Sequence, residues 1–414
     1  TRIPAKRLQK EILMEFKRRY ANPASPLAFA TPAGDVHRFA CLQSSKTRSA
    51  SDITIVTQCS IDRLPRLREM CQNFDGCVSC CVYVPPSGLV PEFLSILSPF
   101  HSEVEAETRC KLDLQLRQEA DAPGHDGLYP INALRNVALD AARTDRVLLL
   151  DVDFALSKGA NALVSSSLAS LPRDAALVVP AFEASARLPL GPLLTSGKAA
   201  LKDSKEVTPF HTAHFPKGHL PTNYDLFFSS MSDYPTSYQH CYEPYVACHR
   251  STIPHYDERF RGYGLNKVSH LLSLSRTHDF VVCSGAWCIS PEMEKSNAWE
   301  RIYGGGKDPK LAVKVQVLFD RFRGELEEVG PKRKGKERRN TTESKKKADA
   351  VVAIDIPLHP LAKKAATVAR PEEEAMTMAF NAARLLAFGF GAAVVVGRAF
   401  GEWGVGGQDV EEAW

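Results

Sequence analysis

Two short runs constrain this chain more than anything else in it: "RVLLLDVDF" (146–154) and "AALVVPAF" (175–182) are almost continuously apolar. A strand with one wet face alternates polar and apolar residues, whereas a strand apolar on both faces needs cover on both. These runs therefore predict central strands of a sheet with helices on either side. The segments before them supply that cover. "ITIVTQC" (53–59), "LPRLREMCQNF" (64–74), "CVSCCVYVP" (77–85) and "PEFLSILSPF" (91–100) alternate strand and helix, the pattern of an α/β protein. "YPINALRNVALDAART" (129–144) then reads as a helix with Pro130 in its first turn. Ile131, Leu134, Val137, Ala138 and Ala141 fall at helical spacing, and Asn132, Arg135 and Asn136 share the opposite, polar face. Strand character returns at "DFVVCSGAWCI" (279–289), and "DPKLAVKVQVLFDRF" (308–322) predicts a closing helix.

Composition bounds the rest. At 414 residues, 44% hydrophobic and 24% charged, the chain has the make-up of a globular protein with a sizeable core. Its formal charge of +4 is uneven, because "PKRKGKERRNTTESKKK" (331–347) carries +7 and leaves −3 for everything else. The excess sits in one tract without apolar residues, so the charge predicts a solvated linker and no nucleic-acid partner. Eleven cysteines leave one sulfur over in any complete set of intramolecular disulfides. "CVSCC" (77–81) reads as strand, since a zinc ribbon needs a second pair. Residues 183–250 break the hydrophobic rhythm and read as long site-building loops. The organisation expected is an N-terminal tether or peripheral helix over 1–50, one catalytic domain over 51–326, a basic linker over 327–348 and an Ala/Val/Gly-rich tail over 349–414. The apolar stretch 385–397 is too short to span a bilayer and predicts a buried helix. A membrane anchor, if the protein has one, is expected ahead of Thr1.

Two aspartates, Asp151 and Asp153, end the first apolar run. Open α/β sheets bind ligands beyond the carboxyl ends of their strands, so the pair lies where a site belongs. Two carboxylates held close repel, and a hard cation such as Mn²⁺ or Mg²⁺, completed by phosphate oxygens, relieves them. A loop aspartate after a strand also commonly caps a helix. Farther on, "HLPTNYDLFF" (219–228), "CYEPYVACHR" (241–250) and "YDERFRGYGLNKVSHLL" (256–272) gather Tyr, acid, amide, His and Gly residues in the manner of a sugar site. Irregular structural loops are the alternative. His211, His214 and His219 offer a zinc-like spacing, but Pro216 breaks the helix it needs, and solvated loop histidines are the better expectation.

The ordered series "YPINALRNVALD", "LLLDVDF", "VVPAFE", "GHLPTNY", "YEPYV" and "YDERFRGYGLNKVSHL" resembles glycosyltransferase family 49, the LARGE-type and β-1,4-glucuronyltransferase group. The resemblance implies a GT-A fold with a Rossmann-like mixed central sheet. It also implies a UDP-sugar donor, Mn²⁺ or Mg²⁺, a glycan or glycoprotein acceptor, and inverting transfer of a glucuronosyl residue in the Golgi or secretory lumen. On that basis Asp151 and Asp153 match the metal motif, and Asn132, Arg135 and Asn136 the helix beside the donor. His219, Thr222, Asn223, Tyr245, Gly262, Tyr263, Gly264, Asn266 and Lys267 match later blocks and are expected around the substrates. An inverting mechanism needs one carboxylate as base on the acceptor side, and the candidates are Glu243, then Asp257, then Glu258. Any of these acids has salt-bridging as its alternative fate. Ser290 and Met293 stand where the resemblance leads one to expect histidines. The rival expectation is a catalytically silent nucleotide-sugar or carbohydrate-binding module.

Overall fold

The computed structural model describes residues 37–118, 127–291 and 309–329. Their order begins β1 (His37–Leu42), β2 (Ile53–Cys59), α1 (Leu64–Gln72), β3 (Cys77–Val84), α2 (Val90–Glu107), β4 (Lys111–Gln118) and α3 (Ile131–Ala141). It continues through β5 (Arg146–Leu149), β6 (Ala155–Leu156), α4 (Ala160–Ser170), β7 (Ala175–Val179), β8 (Ala181–Ala184), α5 (Leu190–Thr195), α6 (Gly197–Asp203) and β9 (Val207–Pro209). Next come α7 (Pro216–His219), α8 (Tyr224–Ser229), β10 (Tyr234–Thr236), β11 (Tyr245–His249), α9 (Asn266–Leu274), β12 (Asp279–Val282), β13 (Cys288–Pro291) and α10 (Pro309–Glu328). The described residues fall into two compact units, the larger holding 37–118, 127–291 and 321–329, the smaller holding 309–320.

Nine strands of the larger unit form one mixed sheet in the order β1-β4-β3-β2-β5-β11-β7-β12-β10. Strands β2, β3, β4 and β5 pair in parallel, as do β7 and β12, while β1, β11 and β10 run against their neighbours. The chain winds outward from β2 through β3 to β4, then returns to place β5 on the other side of β2. That reversal makes the β2/β5 boundary the point where a crevice opens beyond the strand ends.

Side chains alternate between two apolar clusters, one on each face of the sheet. Ile55, Leu148, Leu150 and Leu177 join Leu67, Met70, Leu97 and Val104 of α1 and α2. Val56, Val147, Leu149 and Val178 join Leu134, Val137 and Ala138 of α3 and Leu271 of α9. Cover on both faces is what the continuous apolar runs predict, because each residue of such a strand then has an apolar layer to face.

Both runs are nonetheless cut short. The strand expected over 146–154 ends at Leu149; the Phe154 N–H returns to the Asp151 carbonyl at 3.2 Å, and Ala155–Leu156 leaves for a second sheet, β6-β13-β8-β9. Pro180 divides 175–182 in the same way, lacking the N–H a continuous ladder needs. The run 279–289 likewise splits into β12 in the large sheet and β13 in the small one. Residues 183–250 hold four helices and several short strands, more order than the sequence suggests. The closing helix runs to Glu328, through the boundary expected at 326.

"CVSCC" lies in β3, and the ten cysteines from Cys59 to Cys288 are buried thiols. No described helix is long and apolar enough to cross a membrane. The 1–36 segment, the basic tract, the tail with its 385–397 stretch, and Met293 lie outside the described residues.

Candidate active site

The site is built at the reversal of strand order. The last pairing residue of β5, Leu149, faces the α3 cluster, and two residues later Asp151 turns the same way, toward Arg135 of that helix. Arg135 donates from Nη2 to Asp151 Oδ1 at 2.7 Å and from Nη1 to Asn132 Oδ1 at 3.2 Å and Asn266 Oδ1 at 3.1 Å. Its guanidinium also lies 5.2 Å from the centre of the Tyr256 ring. The other oxygen of Asp151 accepts from the Tyr245 hydroxyl at 2.8 Å and faces the Lys267 ammonium at 3.8 Å. Burial alone would push the Asp151 carboxyl up, but Arg135 and Lys267 outweigh it and hold it well below the usual carboxylate range.

Asp153 has a different neighbour. Arg63, in a short 3₁₀ turn after β2, approaches it at 3.4 Å. Burial, with Asp151 adding to it, raises the Asp153 carboxyl despite Arg63. The like charges of the Asp-x-Asp are thus parted, each answered by its own arginine. Their spacing in the sequence predicts a cation between them; within this chain the first answer is two arginines and a lysine.

The polar face of α3 is buried under the 256–266 loop instead of lining open space. Asn136 donates to the Tyr256 carbonyl at 3.0 Å and accepts from the Tyr256 N–H at 2.8 Å. Asn132 donates to the Asp257 carbonyl at 2.9 Å. Both amides anchor the loop, and only Arg135 of the three reaches an aspartate. The "RGYG" turn is left-handed at Gly262 (φ 69°) and Gly264 (φ 99°), which lets the chain double back and start α9 with Asn266 and Lys267 facing the site.

The three candidate bases separate cleanly. Asp257 is held by Arg259 at 2.6 Å, which also binds Glu325 at 2.6 Å. Glu258 accepts from Asn136 at 3.0 Å and faces Arg117 at 3.5 Å. Glu243 has neither hydrogen bond nor ion pair on its carboxylate among the described residues. Burial raises its carboxyl, and Asp151 adds to that against Lys267 and Arg135. Its backbone N–H donates to the Gly218 carbonyl at 2.9 Å, tying it to α7.

His219 ends α7, is buried, and lies 6.3 Å ring to ring from Tyr245; its Nε2 has no hydrogen-bond partner among the described residues. Burial, then the Lys267 and His211 charges, keep it neutral well below the ordinary histidine range. Among the described residues no three His, Cys, Asp or Glu side chains assemble as a metal group. Asn223 is not brought to the site: at φ 58° it caps α8, its side chain accepting from the Leu226 N–H. Thr222 pairs with the Tyr242 hydroxyl in the core. Tyr263 is partly buried in the loop. Ser290 is buried in β13, its hydroxyl donating to the Pro291 carbonyl at 3.1 Å.

Four contributors escape sequence reading: Arg63, Phe154, Phe210 and Tyr256. Phe154 packs on Tyr245 and Phe210 (4.6 and 4.9 Å between ring centres), backing the acidic pair. Only Arg63 carries a usable signal, since it follows the strand beside β5.

A mixed sheet that reverses beside an Asp-x-Asp, with a smaller sheet carrying the chain on from it, defines an α/β protein of the GT-A type. Residues 96–297 match the family described as glycosyl-transferase for dystroglycan. The human xylosyl- and glucuronyltransferase LARGE2 is 33% identical over 281 residues, 66% of this chain and 37% of that protein. The LARGE2s protein of Gallus gallus is 33% identical over 243 residues, 58% and 32% respectively. The glycosyltransferase-like protein LARGE of Caenorhabditis elegans is 27% identical over 278 residues, 66% and 42%. The chain thus spans about a third to two-fifths of the length of these curated relatives. Among solved structures, GalNAc-T7 with UDP, GalNAc and Mn²⁺ aligns over 76% of this chain and 57% of that one at 10% identity, with a TM-score of 0.41.

Proposed function

We propose that this protein is a metal-dependent inverting glycosyltransferase that moves a sugar, by resemblance a glucuronosyl group, from a UDP-sugar to a glycan hydroxyl in the secretory lumen. The observation that carries the reading is the convergence of Arg135, Asp151, Asp153, Lys267 and Glu243, the last without a partner among the described residues, at the strand-order reversal. Cationic donors at such a crevice suit a diphosphate.

The donor set fits a divalent cation of the Mn²⁺ or Mg²⁺ kind, which is commonly held by one or two carboxylates plus phosphate oxygens. Of the two aspartates Asp153 is the less engaged within the chain, with one arginine at 3.4 Å. When bound, such a cation neutralises charge on the departing diphosphate. Arg135 and Lys267 lie where they would stabilise the same charge, and Tyr245 holds Asp151 in register. Glu243, its carboxyl raised by burial and without a partner among the described residues, is the group suited to take the acceptor hydroxyl's proton. Asn266 fixes Arg135, and His219 lies beside Tyr245.

A UDP-sugar screen with Mn²⁺, over glucuronic acid, xylose, galactose and N-acetylglucosamine donors, tests this reading. Transfer of any of them supports it, and absence of both binding and turnover for all of them ends it. The second reading, a silent binding module, is favoured by Ser290, whose hydroxyl is satisfied within its own strand. Calorimetric binding of UDP-sugar without product would select it.

A further inference from the structure

We infer that Lys267 is a built-in competitor for divalent cations at Asp151, displaced when a nucleoside diphosphate arrives, so that cation and diphosphate bind together and the cation alone binds weakly. The inference rests on the proposed reading of this cleft as a cation and diphosphate site.

The argument begins with how differently the two cations at Asp151 are held. Arg135 is fixed from several sides, by the Asp151 carboxylate, by the side-chain oxygens of Asn132 and Asn266, and by the Tyr256 ring. A guanidinium held in that way is part of the frame. Lys267 has three N–H donors and makes no hydrogen bond among the described residues; its ammonium lies 3.8 Å from Asp151 Oδ2 and 4.0 Å from the centre of the Tyr245 ring. Its side chain is only 12% exposed, so water replaces few of the missing bonds. An ammonium in that state is a poor partner for Asp151 and a ready one for phosphate oxygens. The lysine stem is flexible where the guanidinium fork is not.

The oxygen that Lys267 faces is the one to which Tyr245 also donates, while the other oxygen belongs to Arg135. Both oxygens of Asp151 are therefore engaged by the chain itself. A cation entering alone meets Asp153 plus the repulsion of the Lys267 charge. A diphosphate offers Lys267 the hydrogen bonds it lacks, draws it from Asp151 and opens Oδ2. By linkage, each ligand then tightens the other by the same factor.

Calorimetric titration of the full chain with Mn²⁺ and with UDP, in the wild type and in Lys267→Met, tests this. In the wild type UDP should tighten Mn²⁺ roughly tenfold or more. Lys267→Met should bind Mn²⁺ alone about fivefold more tightly, bind UDP about tenfold more weakly, and lose most of the coupling. Lys267→Gln, uncharged and of similar reach, should move both affinities the same way, and Lys267→Arg should keep Mn²⁺ alone weak. A merely structural role cannot raise one affinity and lower the other. Unchanged or weaker Mn²⁺ binding in Lys267→Met and Lys267→Gln, with UDP still bound, overturns the inference and leaves the proposed function standing. A wild type that binds neither Mn²⁺ nor UDP overturns both.

Discussion

At the residue scale the site turns on which charges are already answered. Glu243, Asp257 and Glu258 are ranked in that order by sequence; two of them are tied to arginines or amides and Glu243, among the described residues, is not. Glu243→Gln should lower transfer by about a hundredfold or more while leaving UDP affinity within about twofold, measured by product formation and calorimetry. Asp257→Asn should act mainly on stability, since it breaks the Asp257–Arg259–Glu325 chain, and should leave the transfer rate of the folded fraction near that of the wild type. A rate loss in Asp257→Asn matching that of Glu243→Gln would reverse the assignment. Asp153→Asn should weaken Mn²⁺ binding more than any other single change in the pair, read by titration with UDP present.

At the element scale, α3 works as a wedge between the sheet and the 256–266 loop. Its apolar face packs with Val56, Val147 and Leu149, and its polar face pins the loop that delivers Asn266 and Lys267. Asn136→Ala should cost about 2–3 kcal/mol, because the Tyr256 N–H and C=O lose their partner in a buried place. Thermal unfolding measures it, and donor affinity should fall with it as the loop loosens. The amphipathic pattern of α3 was legible in the sequence, but the destination of its polar face was not. Asn and Arg at i, i+3 and i+4 look alike whether they line a cleft or clamp a loop, and only the partner 120 positions away distinguishes the two.

At the scale of the whole molecule, the buried histidines give the fold an acid limit. His270 is stacked on Tyr256 at 3.7 Å, donates from Nε2 to the Pro254 carbonyl, and leaves Nδ1 buried without a partner among the described residues. Burial pushes it from 6.5 to about 3. The unfolded chain therefore binds more protons than the folded one between those values. Its stabilising contribution is complete above pH 6.5 and is lost as pH falls toward 3, with a slope of about 1.4 kcal/mol per pH unit. His219 adds in the same direction. Denaturant unfolding at pH 7, 6, 5 and 4 should show His270→Phe with a shallower loss than the wild type. Equal slopes would show that the ring is not kept neutral.

By itself the sequence determined the layers of this protein. Continuous apolar runs can be satisfied only between two helical faces, so a covered central sheet, its main strands and α1 to α3 follow from periodicity. An acidic pair at a strand end can likewise be placed near a crevice without coordinates. What tertiary structure decided is where each run breaks between two sheets, because a turn at Asp151 or a proline at 180 acts only once a second sheet is there to receive the chain. It also decided which polar groups meet. Arg63 with Asp153, and Tyr245 and Lys267 with Asp151, depend on contacts between residues 90 to 116 positions apart, and local pattern carries no record of such distances.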